Sequence, residues 1–251
     1  MTKQIFFIAF SFLSFFAQTK NIEAITEVFP PFQFYDQNNQ LTGISIDVLK
    51  ELQLYGLNEN TITVYPWARA YDLAAMKNNV LIFTMSKTQS RVSTFKWVYT
   101  YQLNNSPYFW FRNDLQTNNE FDWSDALKLT TAIPRSDTQF DSLLKQGFSE
   151  RKNLYVTKDF ESSIKMLIAG KVDFIYAGHI TMLSQLNHLG ISAKKFNTIK
   201  ASNVEEPLLG FAFNIRTPEP IVNEFTNAFQ ELEKTGKIQK IIEKYLNKPA
   251  L

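Results

Sequence analysis

Apolar and polar positions alternate in two rhythms along this chain. A short apolar run over 22–28 ends at Pro30-Pro31 and predicts a strand. Residues 44–55 place Ile46, Leu49, Leu52 and Leu54 toward one side of a helix, with Gly56 as its stop. A β-branched strand over 61–65, a helix over 68–77 and a strand over 80–85 follow. Strand, helix, strand, helix, strand is the grammar of a parallel sheet covered by helices. The same rhythm returns, with strands over 108–112 and 129–133, a helix over 136–145, a strand over 154–157, a helix over 160–169 and a buried strand over 172–177. "AAMKNNVLIFTMS" and "KMLIAGKVDFIYAG" both read as a helix end, a tight turn and an apolar strand with a polar tip. Two helices, over 220–234 and 237–246 and separated by Gly236, complete the pattern. Two lobes of one design account for the repetition, and no long linker separates them. They are joined by short crossings near 101–106 and 202–207.

Composition narrows the class. With 251 residues, 45% hydrophobic and 23 of them Phe, the chain can fill two cores. A net charge of +2 without a basic cluster excludes a nucleic-acid footprint. Lys3 followed by an apolar run over 5–17 is shorter than the roughly 17–25 residues of a membrane span, so it reads as a cleavable export signal cut near Ala17. With no Cys, neither a structural disulfide nor a lipid-modified Cys at the signal junction is available, which points to the periplasm of a Gram-negative cell. Enzymatic signatures are missing: the 8 glycines are scattered without a phosphate-loop pattern, and the 2 histidines, His179 and His188, have poor metal spacing.

Five stretches in fixed order carry a resemblance. They are "TEVFPPFQFYDQNNQLTGISIDVLKEL" (26–52), "YPWARAYDLAAM" (65–76), "MSKTQSRVSTFKWVYTY" (85–101), "IAGKVDFIYAG" (168–178) and "LLGFAFNIRTPEPIVNEFTNAFQELEKTGKIQKIIEKYL" (208–246). Together they resemble the bacterial extracellular solute-binding proteins of family 3, receptors of polar amino-acid importers. The resemblance implies an α/β, two-lobed periplasmic-binding-protein fold of the type II kind, each lobe a mostly parallel sheet flanked by helices, with two hinge crossings. It divides the chain into a signal (1–17), a first lobe (18–103), a second lobe (104–203) and a C-terminal part of the first lobe (204–251). The implied function is capture of a small polar, carboxylate-bearing, amino-acid-like solute and its delivery to an inner-membrane ABC permease or a sensor. The protein is expected to act as a monomer, without cofactor, metal or nucleic acid. The alternative is a lyase on the same scaffold, similar to cyclohexadienyl dehydratases, for which His179 and Glu27 are the only visible acid–base candidates.

Residue by residue, Arg91 matches the family Arg that grips a ligand carboxylate through its planar fork, flanked by Ser86 and Thr88. In the free protein its side chain is expected to line a wet cleft, so that its removal leaves folding unchanged. Phe29, and less so Phe32, match the aromatic that faces the ligand. Trp67 would form an opposite wall, with Arg69 as a cleft cation and Lys87 a second charge near Arg91. On the second lobe Thr138 matches a carboxylate contact at a helix start, where Ser136 replaces the usual Gly. The acid that holds an ammonium in this pattern falls on Gly178, with His179 next to it as a ligand contact. That gap leaves an amino-acid ammonium without a counter-ion unless another acid, such as Glu27, reaches in.

Overall fold

The computed structural model describes residues 22–54, 56–57, 60–115, 121–202, 204, 206 and 208–246. The expected export signal lies outside the described residues.

The first sheet starts with β1 (Glu23–Thr26), followed by a small hairpin of β2 (Phe34–Tyr35) and β3 (Leu41–Thr42). Helix α1 (Ile44–Leu52), β4 (Ile62–Val64), α2 (Trp67–Met76), β5 (Val80–Ser86), the one-turn α3 (Gln89–Val92) and β6 (Phe95–Tyr101) follow. The chain then crosses to β7 (Pro107–Arg112), α4 (Trp123–Ala126), β8 (Thr131–Pro134), α5 (Thr138–Lys145) and β9 (Leu154–Thr157). Helix α6 (Phe160–Ile168), β10 (Phe174–Gly178), α7 (His179–His188) and β11 (Phe196–Lys200) complete this unit. The return crossing leads into β12 (Leu209–Asn214), α8 (Glu219–Lys234) and α9 (Lys237–Leu246), which belong to the first unit.

The strand orders are β4-β1-β5-β12-β6 and β9-β8-β10-β7-β11. Each sheet is mixed but mostly parallel, with one reversed strand among five. β4, β1, β5 and β6 run one way with β12 against them, and β9, β8, β10 and β11 run one way with β7 against them. Each reversed strand is the first after a crossing, where the chain enters the sheet without a helix to turn it back. Buried clusters cover both faces of each sheet, with Phe83, Phe211 and Phe229 on one side of the first and Phe109, Phe111 and Phe174 on one side of the second.

Three boundaries depart from the periodicity. Helix α1 stops at Leu52 because Gln53 turns left-handed (φ 51°) and returns its N–H to Lys50 O, before Gly56 is reached. Helix α5 begins at Thr138 rather than 136, because Ser136 is itself left-handed (φ 62°) and Asp137 caps the helix by accepting from Gln139 N at 2.8 Å. Helix α7 follows β10 without a turn and was not expected. None of the described helices is long and apolar enough to cross a membrane.

Candidate functional site

The carboxyl ends of β1, β5 and β10 and the starts of α2, α5 and α6 meet in a cleft between the two sheets. It holds about 950 Å³ of empty space, part of it open to solvent. In open α/β sheets this edge is where ligands are received.

On the first lobe, β5 ends in a bulge against β12. Thr84 adopts φ 57°, and its hydroxyl donates to Gln33 Oε1 (2.7 Å) and lies 2.8 Å from Ser45 Oγ. The kink directs Ser86 to the cleft and sets up α3. Arg91, on that turn, is only 6% exposed, which corrects the expectation of a solvated side chain. Its Nη1 donates to Ser86 O (3.0 Å) and to Thr138 Oγ1 (3.0 Å), and its Nη2 to Ser136 O (2.9 Å). The guanidinium lies over Trp67 (5.6 Å) and Tyr71 (5.3 Å). Burial lowers its pKa, opposed mainly by the charge of Asp137, and an Arg so placed still keeps its proton. Trp67 Nε1 donates to the same Ser136 carbonyl at 2.8 Å. The left-handed Ser136 thus presents one backbone oxygen to two donors from the opposite lobe. This gives a reason for Gly to be usual there, since a non-Gly residue in that conformation costs roughly 1–2 kcal/mol.

Of the residues singled out from sequence, the cleft brings together Arg91, Ser86, Phe29, Trp67 and Thr138. Phe29 stacks on Phe32 (5.7 Å between centroids) and faces the edge of Phe160 across the cleft at 6.3 Å. Phe32 itself is fully buried in the first core. Thr88, Arg69 and His179 do not line the cleft. The Thr88 hydroxyl bonds Ser90 Oγ at the surface (3.0 Å), because the turn into α3 rotates it away from Ser86. Arg69 lies over the Tyr65 ring at 4.7 Å on the outer side of α2. The His179 ring packs against Tyr108 (4.8 Å) and Trp110 (5.4 Å), and loss of hydration lowers its pKa, which keeps it neutral. Lys87 sits 5.8 Å from the Trp97 ring centroid and is exposed.

Three carboxylates share the cleft: Glu27, Asp137 and Glu206. Glu27, just after β1, has its pKa raised well above the ordinary range, first by burial and then by repulsion from Asp137 and Asp159, with Arg91 opposing. Burial also raises Asp137, against the Gln139 N–H and Arg91. Glu206 accepts from Asn105 N (3.1 Å) and from the Ser106 hydroxyl. Among the described residues no ion pair reaches Glu27 or Glu206. Asn105, Phe160, Tyr176 and Glu206 were not singled out from sequence. For Asn105 and Glu206 the only signal was the polar doublet in each crossing, Asn104-Asn105 and Glu205-Glu206.

The family model of the bacterial extracellular solute-binding proteins, family 3, matches residues 22–248. The chain belongs to this family. As an extracellular solute-binding protein it acts outside the cytoplasm. Solved structures agree on the fold. The chain is similar to a mutant of ArgBP from T. maritima (TM-score 0.76, 18% identity, covering 90% of this chain and 95% of that one). It is equally similar to the arginine-, lysine-, histidine-binding protein ArtJ of Geobacillus stearothermophilus (0.76, 17%, 90% and 95%). A histidine kinase sensor domain with similarity to periplasmic binding proteins also matches (0.71, 15%, 90% and 96%). No curated protein matches the chain in sequence.

Proposed function

We propose that this solute-binding protein captures a small solute bearing a protonated amine in the periplasm and presents it to an inner-membrane permease or sensor. The observation that carries the reading is the charge distribution of the cleft. Three carboxylates share the cleft with a single guanidinium, and that guanidinium already serves Ser86 O, Ser136 O and Thr138 Oγ1. Those bonds use three of its five N–H donors, and a carboxylate that came to the rest would also have to approach Glu27 and Asp137. An ammonium would relieve their mutual repulsion and lie beside the rings of Phe29 and Phe160. The reading keeps the amino-acid-like class expected from sequence but moves the decisive charge from carboxylate to ammonium. The cationic amino acids named for ArtJ are in keeping with it.

Residues 18–251 should be screened by thermal shift with putrescine, L-lysine and L-arginine against succinate and L-glutamate. A ligand at one hundred times its Kd stabilises the folded state by about 2.7 kcal/mol. Stabilisation by the amines, putrescine included because it has no carboxylate, is the expected result. Stabilisation by succinate alone would overturn it.

A further inference from the structure

We infer that Glu206, carried on the return crossing, is the anchor of the solute's ammonium group, and that Asn105 of the first crossing holds it there while occupying the space a side chain at position 178 would need. The inference rests on the amine reading above.

The strand end at Gly178 is plugged. A Cβ built on Gly178 would lie 2.3 Å from Asn105 Nδ2 and 2.5 Å from its Cγ and Oδ1. Asn105 cannot simply swing aside, because its Oδ1 accepts the first free amides of α7, Ile180 N at 2.8 Å and Thr181 N at 3.3 Å. So no acid can project from the end of β10 while this cap is in place. The same residue's backbone N–H is shared between Leu103 O (2.8 Å) and Glu206 Oε2 (3.1 Å), and Ser106 Oγ donates to Oε1. A carboxylate offers about four acceptor sites, so two donors fix its orientation and leave sites for a ligand. Glu206 and Asn105 both line the cleft, beside Leu103 and Tyr176. Arg91 lies at the other pole, where its charge acts on Glu27 and Asp137. Glu206, with no cation among the described residues, is the carboxylate that a ligand cation completes. Its location has a mechanical consequence: both crossings meet at this carboxylate, so the ligand's charge is held at the pivot itself rather than on either lobe.

The test is calorimetric titration of putrescine and L-lysine into the wild type, E206Q, E206D and E27Q. E206Q keeps an acceptor for Asn105 and Ser106 and loses only the charge. It should weaken binding by roughly ten- to a hundredfold, the worth of a hydrogen bond to a charged group, with the Tm of the ligand-free protein within ~2 °C of wild type. E206D, which keeps the charge, should bind more tightly than E206Q. Returning an acid to the strand end in N105G/G178D/E206Q should recover part of the lost affinity, a readout that a purely structural Glu206 would not give. If the wild type binds the amines and E206Q binds them equally, the anchor is misassigned and the amine reading stands. Loss in E27Q but not in E206Q likewise overturns the assignment, in favour of Glu27. If E206Q melts well below wild type and E206D and the relocated acid restore no binding, Glu206 is a hinge strut only. A wild type that takes succinate and neither amine overturns the amine reading and this assignment together.

Discussion

Strands β5 and β10 stand at the centre of sheets with the same strand order, and each is entered from a helix through a turn with one left-handed residue, Asn79 (φ 58°) or Gly170 (φ 68°). They end differently. β5 kinks at Thr84, frees Ser86 and passes into a turn that carries Arg91 into the cleft. β10 runs straight into α7, with Asn105 sealing its tip. One lobe therefore delivers its charge from the end of its central strand. The other offers a backbone oxygen, a hydroxyl, the helix-capping carboxylate of Asp137 and aromatic surface, and a further carboxylate, Glu206, comes from the crossing. A repeated scaffold sets where groups emerge, whereas the first residues past the strand decide which charge emerges there.

The comparison is most severely tested at the two centres. Phe83 and Phe174 are both fully buried, and replacing either with Ala should cost about 3–5 kcal/mol. If the lobes are cores in their own right, hydrogen exchange should show protection lost mainly in the lobe that carries the substitution. Equal loss across both sheets would break the two-core description. Next in size is Arg91→Ala, which removes charge-assisted bonds to Ser136 and Thr138 from a buried position. It should lower stability by about 1.5–3 kcal/mol in denaturant unfolding without ligand, and Arg91→Lys should recover only part. An unchanged midpoint would return Arg91 to the solvated role first expected of it. Smallest is E27Q. Because the folded state raises the Glu27 pKa, Glu27 costs nothing at pH values where both states are protonated. Its cost then grows as pH rises above the ordinary carboxylate pKa of about 4.3 toward the folded value. The Tm advantage of E27Q over wild type should therefore widen from pH 4 to pH 7 in a melting series. A gap that narrows would mean that the folded state favours the ionised carboxylate.

The features legible in the sequence were those written in short range. The apolar run of β5, its hydroxyls and Arg91 stand consecutively, and the Ser at the left-handed turn before α5 was visible as a departure from Gly. Helix α7 was not legible, because "HITMLSQLNH" begins at the last residue of a strand and Gly178 serves as its N-cap without a polar turn to announce it. Nor could the inward turn of Glu206 be read from its neighbours. Its orientation depends on donors a hundred residues earlier, and acidic doublets in connecting segments are usually solvated. Thr88 was misjudged for a related reason: alternation along an extended strand would put it beside Ser86, and the chain leaves the extended conformation between them.

The hydrogen bond from Trp67 to Ser136 also gives the molecule an optical signal of its own. An indole that is 4% exposed and tied to a carbonyl of the opposite lobe emits from a dry, fixed setting. Separation of the lobes breaks that bond and wets the ring, shifting its emission to longer wavelength. With Trp97, Trp110 and Trp123 replaced by Phe, the remaining fluorescence would report the opening and closing of the cleft in unlabelled protein, on the timescale of a stopped-flow experiment.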